Sequence, residues 1–187
     1  PNLNSAANET RPALSADGQW LAYESDWDGV APAGLDIYLY DLAQQQPIDL
    51  PSLNSDVEDS MPSLSGDGRY IAFASWRDGD SDIYLYDRDN ATFVDLPGMN
   101  SDVAESAPAL SEDGRYLAFT QKLPTRDGKG SSEDIRIYDI QTQTLLPLSK
   151  GIRGINTGFD EQRPALLGNQ RLAFYSNRRN PEMGLYN

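Results

Sequence analysis

One sequence unit occurs three times along the chain and a fourth time in altered form. Each full copy reads P-x-L-S-x-D-G-x-aromatic-x-A-aromatic and is followed, after a polar stretch, by an alternating apolar segment. The full copies begin at Pro12, Pro62 and Pro108, and the altered copy begins at Pro164. Repetition at about 46–56 residues indicates a repeat architecture, in which neighbouring units bury their apolar faces against each other.

The alternating segment is the best preserved part of the repeat. It reads LDIYLYD at Leu35–Asp41, SDIYLYD at Ser81–Asp87 and EDIRIYD at Glu133–Asp139, with a weaker copy at Glu182–Asn187. Its apolar residues on both faces predict a strand enclosed between stacked sheets.

Four strands are predicted in the first unit. They are Pro12–Ser15, Trp20–Glu24, Ile37–Tyr40 and Pro47–Leu50, and a hairpin turn at Ala16–Gly18 joins the first two. No segment carries the helical spacing of apolar residues over ten positions. The sequence therefore predicts an all-β protein, a β-propeller of four-stranded antiparallel blades with about four blades visible.

We expect one propeller domain over residues 1–187. Its blades are predicted at about 12–53, 62–99, 108–149 and 164–187, and the N-terminal segment 1–11 matches the linkers between blades. The chain either closes as a small ring or is part of a larger ring of about six to eight blades. Exposed blade faces would be apolar and predict closure or self-association.

The combined motif resembles the β-propeller repeat of the TolB-like family, which is related to WD-type repeats. The resemblance covers essentially the whole chain, although the altered copy lacks the D-G turn at Leu166–Gln170. It implies a periplasmic or secreted setting and a protein-binding role. Other relatives carry propellers associated with lyases or peptidases.

The composition narrows the possible chemistry. The net charge of −14 disfavours nucleic acid and anionic membranes and favours a basic protein or peptide partner. No apolar run approaches the roughly 20 residues that span a bilayer, which predicts no membrane insertion. The chain has no His and no Cys, so it lacks the commonest general base and a thiolate nucleophile. A non-enzymatic protein is expected.

A carboxylate lies three residues before each repeat proline, at Glu9, Asp59, Glu105 and Glu161. We expect these residues just before the innermost strands, as an acidic ring at the mouth of the central channel. Such a ring would receive a basic group of a partner or hold a divalent cation. The alternative is a set of solvated loop charges that cap turns. Arg11 and Arg163 would neutralise part of the ring.

The loop after the second strand of the second unit carries Asp78, Asp80 and Asp82, which suggest a calcium site because only oxygen ligands are available. The alternative is a turn-forming loop. Trp27 and Trp76 lie in or beside such loops and are candidates to anchor a peptide or stack on a sugar. Packing against the next blade is the other interpretation.

The longer basic linker Lys150–Phe159 is a further candidate for a binding loop. The predicted function is a non-enzymatic scaffold that binds a protein or peptide through an acidic channel mouth and requires no cofactor. The first alternative is a calcium-binding envelope or carbohydrate-binding module. The second is a polysaccharide lyase or glycoside hydrolase that uses carboxylate pairs, against which the regular recurrence of the carboxylates argues.

Overall fold

The computed structural model describes residues 3, 5–27, 34–124, 130–147, 155–156, 159–168 and 171–177. These residues form fourteen strands in four antiparallel sheets, as the repeat predicts, and contain no helix. In each sheet the strands lie side by side in chain order. We call the sheets blades 1 to 4. The described part of the chain has no helix long and apolar enough to cross a membrane.

Blade 1 contains β1 (Glu9–Leu14), β2 (Trp20–Ser25), β3 (Asp36–Asp41) and β4 (Gln46–Ile48). Blade 2 contains β5 (Asp59–Leu64), β6 (Tyr70–Ser75), β7 (Asp82–Asp87) and β8 (Thr92–Phe93). Blade 3 contains β9 (Glu105–Leu110), β10 (Tyr116–Pro124), β11 (Ser131–Asp139) and β12 (Thr144–Leu145). Blade 4 is described as the pair β13 (Glu161–Leu167) and β14 (Arg171–Ser176), and its predicted third strand Glu182–Asn187 lies outside the described residues.

The Ser-x-Asp-Gly segment forms the hairpin turn between the first two strands of a blade. In blade 2 the Ser65 hydroxyl donates to Asp67 Oδ1 at 2.7 Å and accepts the Tyr70 N–H at 2.9 Å. Gly68 has a φ of +67°, and a Cβ on this residue would lie 2.3 Å from Cδ1 of Trp20 in blade 1. Gly is therefore required both by the turn and by the close approach of the preceding blade.

The apolar core lies between blades. The cluster between blades 1 and 2 joins Ile37 and Leu39 of β3 to Ile71 and Phe73 of β6. The cluster between blades 2 and 3 repeats this arrangement with Ile83, Leu85, Leu117 and Phe119. Because side chains alternate along a strand, the third strand of each of blades 1 to 3 directs aliphatic residues towards the following blade.

A linker asparagine holds the third strand of each of the first three blades. The Asn100 side chain accepts the Ile83 N–H at 3.2 Å and donates to the Ile83 carbonyl at 3.0 Å. Asn54 makes the same two contacts with Ile37 at 2.9 Å each. The amide side chain thus binds a backbone edge as a neighbouring strand would, and connects the linker to the blade.

The basic linker Lys150–Phe159 contains the same anchor, although it was predicted as a binding loop. Only Ile155, Asn156 and Phe159 of this segment are described. Asn156 bonds both backbone groups of Ile135, at 2.8 and 2.7 Å. Ile155 is buried, as are the equivalent Leu53 and Met99 of the other linkers. This part of the segment is structural.

The first strand of each blade shows the difference between a covered face and an open face. Leu64 is 8% exposed and packs in the core between blades 1 and 2, whereas the equivalent Leu14 of blade 1 is 59% exposed. The same repeat position is also buried at Leu110 of blade 3 and half-buried at Leu166 of blade 4, so it is mostly exposed only at Leu14, which no described blade precedes.

This comparison gives a matched pair of variants. Leu64→Ala should lower the free energy of unfolding by about 2–4 kcal/mol, because it leaves a cavity between blades. Leu14→Ala should lower it by less than about 1 kcal/mol, because the side chain is mostly in water. Urea denaturation of both variants measures the difference, and equal losses would contradict the assignment of the core to the blade interfaces.

Candidate functional site

The innermost strand of each blade begins at the predicted carboxylate and not at the repeat proline. The prediction that the carboxylates lie just before these strands is therefore wrong, because each is the first residue of its strand. The strand accommodates the proline through a register shift, which falls between Thr10 and Ala13 in blade 1 and between Ser60 and Ser63 in blade 2. The cause is physical: proline has no N–H to donate to the ladder, so the strand bulges there.

The four bulges are alike in backbone conformation. The residue before each proline has a positive φ, although none of the four is glycine. The values are 46° at Arg11, 57° at Met61, 51° at Ala107 and 49° at Arg163. A non-glycine residue in this region carries about 1–2 kcal/mol of strain, so the surrounding structure holds four strained residues at equivalent positions.

Asp59 shows what the strand-initiating carboxylates do. Its side chain is 0% exposed and accepts the N–H of Ser55 at 2.6 Å and the hydroxyl of the same residue at 2.9 Å. Arg77 Nη2 lies 2.9 Å from Asp59 Oδ1 and also donates to the Leu53 carbonyl at 2.8 Å. The carboxylate therefore joins the linker, the inner strand and the end of β6.

The equivalent residues in the next two blades are also buried. Glu105 is 0% exposed and accepts the Ser101 hydroxyl at 2.5 Å and the Gln121 amide at 2.8 Å. Glu161 is likewise 0% exposed and accepts the Ser176 hydroxyl at 3.0 Å.

Glu9 of blade 1 is half-buried and binds the hydroxyl and the N–H of Ser5. The three fully buried carboxylates cannot touch a partner in this conformation, since their side chains are enclosed by their own blade and linker. Three of the four carboxylates predicted to form an acidic ring therefore lie inside the scaffold.

The inner strands instead enclose a cleft of about 460 Å³ one to three residues further along. Its described lining consists of Arg11, Pro12, Met61, Pro62, Ser106, Ala107, Pro108, Thr120, Glu133, Gln162, Arg163 and Pro164. All four bulge residues and all four repeat prolines are in this set. Sequence reasoning noted the two arginines only as neutralising charges and missed the other lining residues.

Polar side chains of neighbouring blades hold the bulge backbone in place. Glu24 Oε2 accepts the Met61 N–H at 3.0 Å, and the Thr120 hydroxyl accepts the Arg163 N–H at 3.1 Å. Glu24 and Thr120 occupy the same position of the second strand in their blades. Each therefore stabilises the strained bulge of the following blade.

The cleft contains charges of both signs. Arg11 Nη1 donates to both oxygens of Glu24, at 2.8 and 3.0 Å, and its side chain is about half exposed. Arg163 is exposed and has no carboxylate or hydrogen-bond partner for its guanidinium among the described residues. Glu133 lies in the longer β10–β11 hairpin of blade 3, paired in register with Lys122.

The two candidate tryptophans lie outside the described cleft lining. Trp27 is 51% exposed at the end of the described loop after β2, so it remains a candidate anchor for a partner. Trp76 is half-buried, and its backbone N–H donates to the Glu58 carbonyl at 3.3 Å. The structure does not bring these two residues together with the carboxylates in one surface.

The three aspartates of the predicted calcium loop differ in exposure and partners. Asp78 is exposed and accepts the hydroxyl of Tyr84, Asp80 is half-buried, and Asp82 is 7% exposed at the start of β7. In the described ranges, no group of three or more carboxylates is arranged to hold a metal ion. Calcium binding therefore stays a prediction without geometric support here.

Asp82 instead faces the next blade. Burial raises the pKa of Asp82 to about 7, and a hydrogen bond to Glu105 adds to the shift. Asp82 Oδ1 and Glu105 Oε2 are both buried and have no other donor among the described side chains. In its protonated form Asp82 can donate to Glu105, which would satisfy both oxygens. The equivalent Asp134 behaves similarly: burial raises its pKa, and the charge of Glu161 raises it further.

Comparisons with solved structures identify the architecture. TolB from Acinetobacter baumannii matches with a TM-score of 0.58 and 22% identity over 92% of this chain and 41% of its own length. An oligogalacturonate lyase from Vibrio parahaemolyticus matches with a TM-score of 0.62 and 14% identity over 92% of this chain and 47% of its own length. Dipeptidyl peptidase 4 from Porphyromonas gingivalis matches with a TM-score of 0.57 and 17% identity, over 94% of this chain and 30% of its own length.

The chain has a β-propeller fold. It spans less than half of each of these three proteins, and at these identities the likeness extends to the fold alone. No family model matches the sequence, and no curated protein sequence matches it significantly. The TolB-like fold expected from the motif is supported, while the relation to WD-type repeats stays a prediction.

Removal of the arginine that binds Asp59 tests the structural role of the buried carboxylates. Arg77→Met should lower the free energy of unfolding by roughly 3–5 kcal/mol, because the buried Asp59 would lose its ion-pair partner. The double variant with Asp59→Asn should recover most of the loss. Arg171→Met is the control, since Arg171 is exposed. Urea denaturation measures all three, and an unchanged midpoint for Arg77→Met would contradict this role.

The Asp82–Glu105 pair predicts a pH dependence. Between about pH 4 and 7 the folded protein keeps a proton on Asp82 that the unfolded chain has released. The stabilisation is therefore complete below about pH 4 and is lost as the pH rises through about 7. Asp82→Asn should not suffer this loss, so its melting temperature should rise relative to wild type between about pH 5 and pH 8.

Asp56→Asn is the control for this experiment, because Asp56 is exposed and its charge does not contribute to the raised pKa of Asp82. Thermal melting across the pH range checks the result. If the difference in melting temperature between wild type and Asp82→Asn stayed the same from acidic to alkaline pH, the raised pKa of Asp82 would be excluded.

Proposed function

We propose that this chain is a non-enzymatic propeller scaffold that receives a segment of a protein or peptide partner in the cleft between its inner strands. The observation that carries the proposal is the cleft of about 460 Å³, where four rigid bulges and four prolines meet. Its volume lies in the range typical of ligand sites, roughly 300–1,000 Å³. Its walls belong to β-strands, so it is preformed.

The chemistry of the lining favours a peptide over a sugar. Four prolines, Met61 and Ala107 supply apolar surface, and Ser106, Thr120 and Gln162 supply hydrogen-bonding groups. Sugar rings are commonly held against aromatic faces, whereas the described lining contains no aromatic side chain. A peptide segment uses both kinds of surface, apolar contact for its side chains and hydrogen bonds for its backbone.

The same lining argues against hydrolysis or elimination at this site. A glycoside hydrolase needs two carboxyl groups about 5–9.5 Å apart, and Glu133 is the only carboxylate in the described lining. The chain also has no His to act as a general base. The fold does not decide the matter, because propeller structures that resemble this one include a lyase and a peptidase.

The net charge of the chain and its repeat motif suggest the kind of partner and the location of the protein. The net charge of −14 attracts a partner that is basic overall and speeds its encounter with the scaffold. We place the protein in the periplasm or outside the cell, on the strength of the resemblance of its repeat to the TolB-like family.

A cleft-filling variant tests this function. A random heptapeptide library is selected on the wild-type protein, and single peptides are then measured by fluorescence anisotropy. Ala107→Phe should weaken the selected peptides by at least about tenfold, because its ring would occupy the cleft. Val57→Phe introduces the same side chain on an exposed linker residue outside the lining and should leave binding unchanged.

The proposal fails if the library yields no binder, or if every binder tolerates Ala107→Phe. Thermal melting of both variants verifies that the scaffold is folded. Met61→Trp fills the cleft from another blade and gives an independent answer if Ala107→Phe does not fold.

A further inference from the structure

The four bulge residues combine a fixed backbone with variable chemistry. The carboxylate, the proline and the Leu of the inner strand are kept in each copy, whereas the residue before the proline is Arg11, Met61, Ala107 or Arg163. All four have the same left-handed φ and line the same cleft. The scaffold therefore presents three kinds of side chain at four equivalent positions.

The backbone strain at these four positions suggests that their side chains contribute to binding. Glycine adopts a positive φ without cost, so glycine at each bulge would remove about 1–2 kcal/mol of strain. The chain has 15 glycines but none at these four positions. Strained residues that persist at one surface are candidates for contact with a ligand.

The bulge residues of the cleft are partly basic, whereas the chain as a whole is acidic. Two of the four bulge residues are arginines in a protein with a net charge of −14. Arg11 is held by Glu24, which leaves Nη2 and Nε available, and the guanidinium of Arg163 has no partner in the described part of the structure. An arginine presents a rigid fork of donors that matches a carboxylate.

We infer that the cleft recognises an acidic side chain, Asp or Glu, on the peptide segment that enters it. Arg163 binds the carboxylate, Arg11 adds positive potential from the other end of the described blades, and Met61 and Ala107 contact the apolar flanks. Glu133 lies in the same lining with the opposite charge and opposes the acidic group. This inference rests on the proposed function and adds the chemistry of the partner.

The inference is compatible with a partner that is basic overall. The charge of the whole surface acts over about 8–10 Å at physiological salt and governs the encounter. The cleft acts at contact distance and governs which side chain is accepted. The partner would thus carry an acidic anchor within a basic surface.

The experiment uses the heptapeptides selected on the wild-type protein at about 0.15 M salt, which limits long-range attraction. Only peptides that are weakened by Ala107→Phe are considered. Asp and Glu should be enriched among them at one position relative to the unselected library. Enrichment of Lys and Arg instead, with binding still lost in Ala107→Phe, would overturn the inference and leave the proposed function intact.

Single variants then test the residues. For a synthetic peptide of the enriched sequence, Arg163→Gln should raise Kd about tenfold or more, because a charge-assisted pair is lost. Glu133→Gln should lower Kd by about twofold to fivefold, because a like charge is removed. Arg171→Gln, on an exposed residue outside the cleft lining, should leave Kd unchanged. Replacing the acidic residue of the peptide by its amide should abolish the effect of Arg163→Gln.

The outcomes separate the two proposals. If Arg163→Gln and Glu133→Gln shift Kd in opposite directions as described, the acidic anchor is supported, since a general loss of structure would weaken binding in both. If neither changes Kd while Ala107→Phe abolishes binding, the inference fails and the proposed function stands. If digalacturonate displaces the peptide at equal concentration, the anion is an acidic sugar and the peptide assignment is overturned.

Discussion

The structure depends on one repeated contact, the linker asparagine that bonds both backbone groups of the third strand. Asn54, Asn100 and Asn156 make this contact with Ile37, Ile83 and Ile135. It fixes the linker against the blade that has just ended, and the next inner strand then starts at a buried carboxylate. The N–H groups of Asp59 and Glu105 also donate to carbonyls of the preceding blade, each at 2.7 Å. These bonds set where the inner strands of blades 2 and 3 begin, and therefore where their bulges lie.

This arrangement separates the parts that hold the blades from the parts that face the cleft. The buried carboxylates and the aliphatic residues of the third strands join neighbouring blades, and their side chains are withdrawn from solvent. The bulge residues lie only two positions beyond the carboxylates, yet they line the open cleft. The bulge at the proline turns the strand, so that the side chains before it point into the scaffold and the bulge residue faces the cleft. The same segment can thus keep its scaffold residues constant while its bulge residue varies.

The sequence predicted the sheets well because their signals are local. Alternation in DIYLYD and the D-G turns determine strands and hairpins within a few residues. The cleft depends on interactions that single segments do not reveal. A residue before proline usually adopts an extended conformation, so the left-handed Arg11 and Arg163 were not expected. Loop composition suggested that Asp59 was solvated, but its burial depends on Arg77, 18 residues away. The insertion before Asn156 concealed the linker motif that the earlier linkers share.

Amide hydrogen exchange measured by NMR tests the central claim that these linkers are part of the blade scaffold. The N–H groups of Ile37, Ile83 and Ile135 face a side chain rather than a strand, so nothing in the ladder itself would protect them. The account predicts that they exchange as slowly as the amides of β6 and β10, and that Asn100→Ala accelerates exchange selectively at Ile83. Fast exchange at all three isoleucines, at the rate of exposed loop amides, would contradict it.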